Sequence, residues 1–316
     1  MACMLRLLLV VGFLLFQIAC VAQSSIPIVM PLYAAGKTPY QKVVALKTAE
    51  KVEQGLRTSK ITIPEITVYL PKGEKGGKER LRQAVLVLPG GGYTFVSMQQ
   101  EGHDVGKALA AAGRVGIVMK YRLPDTSLVT NKKWVPMADV IAAMRMAKAN
   151  AKSWNIDTAQ IGVLGFSAGG HLAATFATMY ARHPLGRASD RPAFCGLVYA
   201  VIASGEIGHS KSFGRLLGEG ATEALKAEFS ADKLVDKTSP PTFLLASTDD
   251  GTVPYQNSVV HMQACKAAGV PAELHLFPTG GHGYALGSST MPPTRPEAPD
   301  WWPLFLAWLG KQGPRP

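Results

Sequence analysis

Residues 165–169, Gly-Phe-Ser-Ala-Gly, constrain the fold of this chain more than any other stretch. They follow a short apolar run at 161–164 and precede a helical stretch at 171–180. A Gly-x-Ser-x-Gly segment between a strand and a helix predicts a sharp turn that holds its serine in a strained conformation. We therefore expect Ser167 to project from the end of a strand, where a base can reach its hydroxyl. The N–H of Ala168 would then point from the first helical turn at an oxyanion.

The rest of the chain alternates between apolar runs and helical stretches. Residues 84–88 form a continuous apolar run, which is typical of a strand covered on both faces. Further strands are predicted at 115–119, 161–164, 196–202, 242–247 and 273–277, and helices at 99–112, 137–153, 171–180 and 303–309. This alternation indicates βαβ units, and thus an α/β fold with a mostly parallel central sheet and helices on both faces.

Residues 1–22 have the features of a secretory signal peptide. Arg6 supplies a positive charge, an apolar segment follows, and small residues at Cys20 and Ala22 fit cleavage after Ala22. The apolar segment is too short to favour a spanning helix, so we expect a secreted or periplasmic protein with no stable membrane insertion. A lipid anchor at Cys20 is the alternative, although Gln17 stands where such signals usually carry Leu.

The mature chain has a length that suits one large α/β domain. Residues 23–60 lack a clear period and are predicted to form an N-terminal extension, while 61–316 form the catalytic domain. Within that domain, residues 61–70 alternate as a strand, and Pro64 favours an edge position. Residues 71–82 are predicted to form a charged hairpin tip.

Composition narrows the function classes. Hydrophobic residues make up 47% of the chain, which excludes a disordered protein. The net charge of +11 serves solubility or attracts acidic surfaces and acidic polysaccharides. No nucleic-acid motif accompanies the scattered Lys and Arg, so we expect no nucleic-acid partner. Cys195 and Cys265 can form one disulfide at most, and neither has the neighbours of a metal site, so no metal is expected.

A serine hydroxyl becomes a nucleophile only beside a base that a carboxylate orients. His282 is the best candidate for the base, because it follows the predicted strand 273–277 and has Gly281 and Gly283 beside it. These glycines free the backbone to present the imidazole. His103 is a weaker candidate, because it is close in sequence to a glycine loop at 90–92. The remaining histidines are interpreted as structural, namely His171, His183, His209, His261 and His275.

The orienting carboxylate is expected directly after the predicted strand 242–247, where Asp249 and Asp250 compete. Pro254 is suited to the first position of a following helix. The Asp-x-x-Val-Pro pattern that begins at Asp250 resembles the acid loop of hydrolases that carry a Gly-x-Ser-x-Gly turn, and the order Ser, Asp, His along the chain agrees with theirs. We choose Asp250, with Asp249 as its structural neighbour. Capping of the next helix is the other role open to both.

Residues 89–93, Pro-Gly-Gly-Gly-Tyr, directly follow the predicted strand 84–88. Backbone N–H groups approach an oxyanion closely only where side chains are absent. We therefore expect Gly91 or Gly92 to complete an oxyanion hole with Ala168. The loop lacks the sequence patterns that bind nucleotide phosphates, so no nucleotide site is predicted. Tyr93 either shapes an acyl pocket or has only a packing role.

Six segments together resemble a known family. They are Pro-Gly-Gly-Gly-Tyr at 89–93, Lys-Tyr-Arg-Leu at 120–123, Gly-Phe-Ser-Ala-Gly-Gly-His at 165–171, Pro-Pro-Thr-Phe at 240–243, Asp-Gly-Thr-Val-Pro at 250–254 and Gly-His-Gly at 281–283. Over residues 61–312 the chain resembles secreted α/β-hydrolases of the group that includes acetylxylan esterases and bacterial carbohydrate deacetylases. Pro89 stands where the wider esterase family often has His, which resembles the sugar esterase branch and not a lipase. Residues 120–123 are taken as structural.

The resemblance implies a serine mechanism, without a cofactor, that removes short acyl groups from an acylated carbohydrate such as acetylated xylan. The triad would be Ser167, His282 and Asp250. A peptidase of the same fold is one alternative, because it shares the Asp-x-x-Val-Pro pattern, but such peptidases typically carry a large extra domain. A non-catalytic carbohydrate-binding protein is the other, but loss of Ser, Asp or His would signal it and all three are present.

Two features bear on the expected substrate. The segment 203–241 is too short to hold the bulky apolar lid with which a lipase shelters long acyl chains. Trp301 and Trp302 follow a proline-rich loop after His282. They either line a sugar platform near the site or pack the last helix.

Overall fold

A computed structural model describes residues 26–42, 50–53, 56–72, 81–287 and 298–312. The strands are β1 (Ile28–Pro31), β2 (Lys51–Glu53), β3 (Arg57–Ser59), β4 (Glu65–Tyr69), β5 (Arg82–Leu88), β6 (Val115–Lys120), β7 (Ile156–Phe166), β8 (Cys195–Val198), β9 (Thr242–Ser247) and β10 (Ala272–Phe277). The helices are α1 (Asp104–Ala111), α2 (Val135–Ala149), α3 (Ala151–Trp154), α4 (Ser167–Met179), α5 (Ser210–Leu217), α6 (Glu223–Glu228), α7 (Gln256–Ala267) and α8 (Trp302–Lys311). The predicted signal peptide, with Cys20, and most of the predicted hairpin tip lie outside the described residues.

Eight of these strands form one sheet in the order β1-β4-β6-β5-β7-β8-β9-β10. The strand β4 runs antiparallel to both of its neighbours, whereas every pair from β6 to β10 is parallel. The prediction of an α/β fold with a mostly parallel sheet is therefore confirmed. Because the carboxyl ends of parallel strands meet at one edge, the loops after β5, β7, β9 and β10 gather there.

The central strands are buried, as their apolar runs predicted. Every residue of β6, β8 and β9 is buried, as are residues 84–88 of β5. Helices α1, α4 and α7 pack against these strands. A strand covered on both faces loses contact with water along its whole length, which is why it reads as a continuous hydrophobic run. This core gives the loops at the carboxyl edge a rigid base.

Several boundaries differ from the predicted ones. The stretch 99–112 begins with a π-helical turn, Met98–His103, before α1. The stretch 137–153 divides into α2 and α3. The strand β8 ends at Val198, because the chain turns at Tyr199, whose φ is +37°. Pro254 precedes α7 by two residues instead of occupying its first position.

The N-terminal residues join the domain more closely than the sequence indicated. The predicted extension at 23–60 contributes β1, which pairs with β4 as the outermost strand of the sheet. The edge position predicted for the strand at Pro64 is therefore wrong, since β4 has a neighbour on each side. The short hairpin of β2 and β3 lies against the loop after β5, where Thr58 and Val96 exchange backbone hydrogen bonds of 2.9 and 2.8 Å.

A buried ion pair follows β6. The Arg122 and Asp139 side chains are fully buried and lie 2.6 Å apart, and Asp139 also accepts the backbone N–H of Arg122 at 2.8 Å. The neighbouring Tyr121 donates its hydroxyl to the carbonyl of Pro89 at 2.6 Å. Since a buried charge needs a partner that also forms hydrogen bonds, these contacts fit the structural role assigned to residues 120–123. They tie α2 and the glycine loop to the end of β6.

Candidate active site

The serine turn has the strained geometry that its sequence predicted. The strand β7 ends directly before Ser167, which begins α4 with a φ of +52°, in the left-handed region that non-glycine residues rarely adopt. A Cβ added at Gly165 would lie 2.3 Å from the carbonyl oxygen of Gly169. One added at Gly169 would lie 2.1 Å from the carbonyl oxygen of Leu88. Both glycines are therefore required for the close approach of β5, β7 and α4.

Three side chains from different loops form one hydrogen-bonded chain. Ser167 Oγ lies 2.9 Å from His282 Nε2, and His282 Nδ1 lies 2.7 Å from Asp250 Oδ2. The Asp250 side chain is fully buried, whereas that of His282 is 18% exposed. When Nδ1 donates to Asp250, Nε2 is the acceptor that can take the serine proton. The structure thus brings together the serine, base and carboxylate that the sequence analysis selected.

The two neighbouring aspartates have different contacts. Asp250 reaches the imidazole, and its other oxygen accepts the N–H groups of Thr252 and Val253 at 2.8 and 2.9 Å. Asp249 instead accepts the N–H groups of Gly280 and Gly281 at 3.2 and 2.8 Å. Asp249 therefore holds the backbone of the loop that carries the histidine, while Asp250 orients its ring. These contacts agree with the choice of Asp250 as the orienting carboxylate and of Asp249 as its structural neighbour.

The predicted oxyanion donors lie around Ser167. Gly91 and Gly92 adopt φ values of +130° and +61° and line the same cleft as Ser167 and His282. Within the described part of the chain, no acceptor is found for the N–H of either glycine. Ala168 is the second residue of α4, so its N–H has no acceptor within the helix. These three groups are the donors available to a developing negative charge.

Glu101 is a site residue that the sequence analysis missed. Its carboxylate is buried and accepts the Gly90 N–H at 2.7 Å and the Tyr199 hydroxyl at 2.8 Å. The Tyr199 ring packs on His282 with a centroid distance of 4.8 Å, and its hydroxyl accepts the N–H of Ala285 at 2.9 Å. Glu101 therefore links the glycine loop to the histidine loop. Its sequence signal is weak, because an acid in a predicted helix is usually solvated.

The electrostatics of Glu101 follow from its burial. Loss of hydration raises the pKa of Glu101, while the bonds from Tyr199 and Gly90 and the nearby His282 lower it. Each carboxylate oxygen accepts a hydrogen bond, which is the pattern that an ionised carboxylate satisfies. A negative charge at this position stabilises the imidazolium form of His282.

We expect Glu101→Gln to lower kcat on p-nitrophenyl acetate by about tenfold to a hundredfold, the range for losing a charge-assisted buried hydrogen bond. Removing the negative charge also removes a group that stabilises the His282 imidazolium formed in each half of the reaction. Rates measured from pH 4 to 9 test both effects. Glu223→Gln, at an exposed glutamate of α6, is the matched control. An unchanged profile with a normal rate would contradict a positioning role for Glu101.

A cleft of about 760 Å³ opens above these groups. The glycine loop forms one wall, and His209, Lys211 and Arg215 from the region of α5 line another. His209 was interpreted as structural, yet it lies in the cleft near His282, and burial followed by the nearby His282 lowers its pKa. Its Nδ1 lies 2.8 Å from Ser212 Oγ. The sequence offered no sign that this segment lines the same cleft as Ser167.

Tyr93 packs beneath the glycine loop. Its hydroxyl lies 2.9 Å from His171 Nδ1, and His171 Nε2 lies 2.8 Å from the carbonyl oxygen of Phe229. Both rings are buried, and burial lowers the pKa of His171 to about 4. Of the two roles considered for Tyr93, the structure supports packing, and it supports the structural interpretation of His171.

Of the two roles considered for Trp301 and Trp302, the structure supports packing of the last helix. Trp301 is fully buried, its indole N–H donates to the carbonyl of Ala285 at 2.9 Å, and its ring contacts Phe166 and Phe305. Trp302 is 8% exposed and packs against Phe305. Both rings therefore serve the packing of α8 and do not line a sugar platform. The proline-rich segment 288–297 lies outside the described residues.

The described residues contain no group of three or more His, Cys, Asp or Glu side chains arranged to hold a metal ion. Cys195 and Cys265 are buried free thiols, and burial raises the pKa of Cys265 to about 11.

In the part of the chain that the structure covers, none of the helices is both long and apolar enough to span a bilayer.

A mostly parallel sheet that presents a strained Gly-x-Ser-x-Gly turn, a histidine and an aspartate at its carboxyl edge defines the α/β-hydrolase class. Comparison with known proteins agrees. The BD-FAE family matches residues 66–193. The acetyl ester-xyloside bifunctional hydrolase from Caldicellulosiruptor lactoaceticus is 31% identical with a TM-score of 0.73, and the match covers 92% of this chain and 98% of that one. The chain belongs to the acetylxylan-esterase-like family of α/β hydrolases.

Two curated relatives are longer than this chain. An acetylxylan esterase from Xylanibacter ruminicola is 31% identical over 229 residues, which cover 71% of this chain and 44% of the relative. Endo-1,4-beta-xylanase B from Butyrivibrio fibrisolvens is 31% identical over 231 residues, which cover 72% of this chain and 35% of the relative. The chain thus matches less than half of the length of each.

Proposed function

We propose that this protein is a serine esterase that removes short acyl groups, above all acetyl, from carbohydrate such as xylan or its oligosaccharides. The observation that carries the proposal is the chain of hydrogen bonds from Ser167 through His282 to Asp250, at 2.9 and 2.7 Å, beside a strained serine in an accessible cleft. This is the arrangement that turns a weak nucleophile into an effective one.

The first half of the reaction forms an acyl-enzyme. Ser167 Oγ attacks the ester carbonyl while His282 Nε2 takes its proton, and Asp250 stabilises the imidazolium that results. The oxyanion accepts hydrogen bonds from Ala168 and from Gly91 or Gly92. His282 then gives its proton to the oxygen of the leaving sugar, and the C–O ester bond breaks.

The second half returns the enzyme to its starting state. A water molecule gives a proton to His282 and attacks the acyl carbonyl through the same oxyanion hole. Collapse of the second tetrahedral intermediate releases acetate, and Ser167 recovers its proton from His282. No step requires a cofactor.

The substrate class rests on two supports. The first is the family of this chain, which includes a relative named acetylxylan esterase and one named acetyl ester-xyloside bifunctional hydrolase. The cleft around Ser167 is bordered by glycines and polar side chains such as Gln100 and His209, and Leu56 and Phe95 are the large apolar side chains that line it. Long acyl chains gain their binding energy from continuous apolar surface, and two apolar side chains supply little of it, so the cleft favours a short acyl group. Export to the periplasm or medium, which the N-terminal residues predict, would bring the enzyme to such polymers.

A series of p-nitrophenyl esters tests the acyl preference. We expect acetate to be the best substrate and kcat/KM to fall at least about tenfold by octanoate, because two large apolar side chains cannot cover the added methylenes of a long acyl chain. Acetate release from acetylated xylo-oligosaccharides is measured beside it. A preference for octanoate, with no release from any acetylated sugar, would overturn the proposal.

A further inference from the structure

The mouth of the cleft carries an excess of positive charge. Three exposed cationic side chains, Arg57, Lys211 and Arg215, line it, and we call them the cationic rim. The acids that line the same cleft are Glu101 and Glu219. Glu101 is buried and already accepts two hydrogen bonds, so Glu219 is the one solvent-facing acid among the described lining residues.

Arg57 is held beside the glycine loop. Its guanidinium carbon lies 4.6 Å from the centroid of the Phe95 ring, and the next residue, Thr58, is bonded to Val96 through both backbone groups. Phe95 itself packs on Gly91, where an added Cβ would lie 2.7 Å from the Phe95 ring. A single aromatic ring therefore separates the Arg57 guanidinium from the predicted oxyanion loop. Stacking on the ring also restricts its side chain before any ligand arrives.

The other two cations line the same cleft from α5. Lys211 lies at the start of α5, close enough to His209 to lower its pKa, and His209 adjoins His282. Arg215 follows one turn later on the same helix. Among the ion pairs found in the described residues, none includes a member of the cationic rim. Unpaired cations around a cleft raise the local concentration of anions.

We propose that the cationic rim is a subsite for the carboxylate of an acidic sugar, a uronic acid that neighbours the acetylated sugar in the substrate. The proposal rests on the esterase function proposed above and names the substrate class more closely. Arg57 binds the carboxylate through its planar pair of N–H donors, the geometry that suits a carboxylate best. Lys211 and Arg215 add positive charge from α5.

The test compares two acetylated xylo-oligosaccharides of equal length, one neutral and one with a glucuronic acid branch beside the acetylated sugar. We expect the wild-type protein to show a kcat/KM about tenfold higher on the acidic oligosaccharide. The advantage shrinks when salt is raised to about 0.5 M, because exposed charges are then screened. Arg57→Gln removes most of the advantage and leaves the neutral oligosaccharide and p-nitrophenyl acetate unchanged within about twofold.

Matched variants separate local charge from net charge. Lys152→Gln removes one positive charge from α3, which precedes β7 and so lies at the opposite edge of the sheet from Ser167. It should keep the full preference for the acidic oligosaccharide. Arg57→Lys keeps the charge but not the paired donors, so an intermediate preference is expected.

Equal kcat/KM values on the two oligosaccharides would overturn the subsite, and so would an Arg57→Gln variant that loses activity equally on both. Each result leaves the esterase function standing. Absence of acetate release from either oligosaccharide, with p-nitrophenyl acetate still hydrolysed, would instead overturn the carbohydrate esterase function and the subsite with it.

Discussion

Replacing Ser167 with alanine is expected to reduce kcat on p-nitrophenyl acetate by at least about three orders of magnitude. The alanine has no oxygen to attack the carbonyl, while the N–H donors and the cleft are retained. The folded structure should persist, because the Ser167 side chain makes its hydrogen bond to His282 at the surface of the cleft and not in the core. Purified protein, steady-state kinetics and a thermal melt provide the measurement.

Ser97→Ala is the matched control, since Ser97 lines the same cleft and uses its backbone N–H to bond Gly90. Its activity should stay within a few-fold of the wild type. A fluorophosphonate probe should label the wild type and the Ser97 variant but not Ser167→Ala. Near-normal turnover by Ser167→Ala would end the serine mechanism.

The second large effect separates the two aspartates. Asp250→Asn should lose activity by at least about two orders of magnitude more than Asp249→Asn. The amide of an asparagine at 250 donates to His282 Nδ1, which favours the tautomer whose Nε2 carries the proton and cannot accept one from Ser167. An asparagine at 249 still offers an oxygen to the N–H of Gly281. The activity that Asp249→Asn loses is therefore only that caused by a less tightly held histidine loop.

Kinetics at pH 7 on p-nitrophenyl acetate and thermal melts of both variants make the comparison. The melts ensure that an unfolded variant is not mistaken for an inactive one. A greater loss in folded Asp249→Asn than in folded Asp250→Asn would reverse the assignment of the triad acid.

Much of the site was predictable because it depends on where strands end. Each apolar run marks a buried parallel strand, and a parallel sheet brings every strand end to one edge. Ser167 and His282 are 115 residues apart, yet each follows such a run, and so does Asp250. The glycine pattern around Ser167 is equally local, because the close contacts at Gly165 and Gly169 permit no side chain.

The amino-acid sequence by itself therefore determined the fold class, the serine turn and the loops that supply its partners, since these follow from local pattern and strand order. Tertiary structure alone decided contacts between segments that share no pattern. It buried the Glu101 carboxylate against Gly90 and Tyr199, and it brought Arg57 and Lys211 into the lining of one cleft. Whether a charged side chain is solvated or faces a site depends on which distant element packs against it. The hydrophobic periodicity of the local sequence carries no information about that distant element.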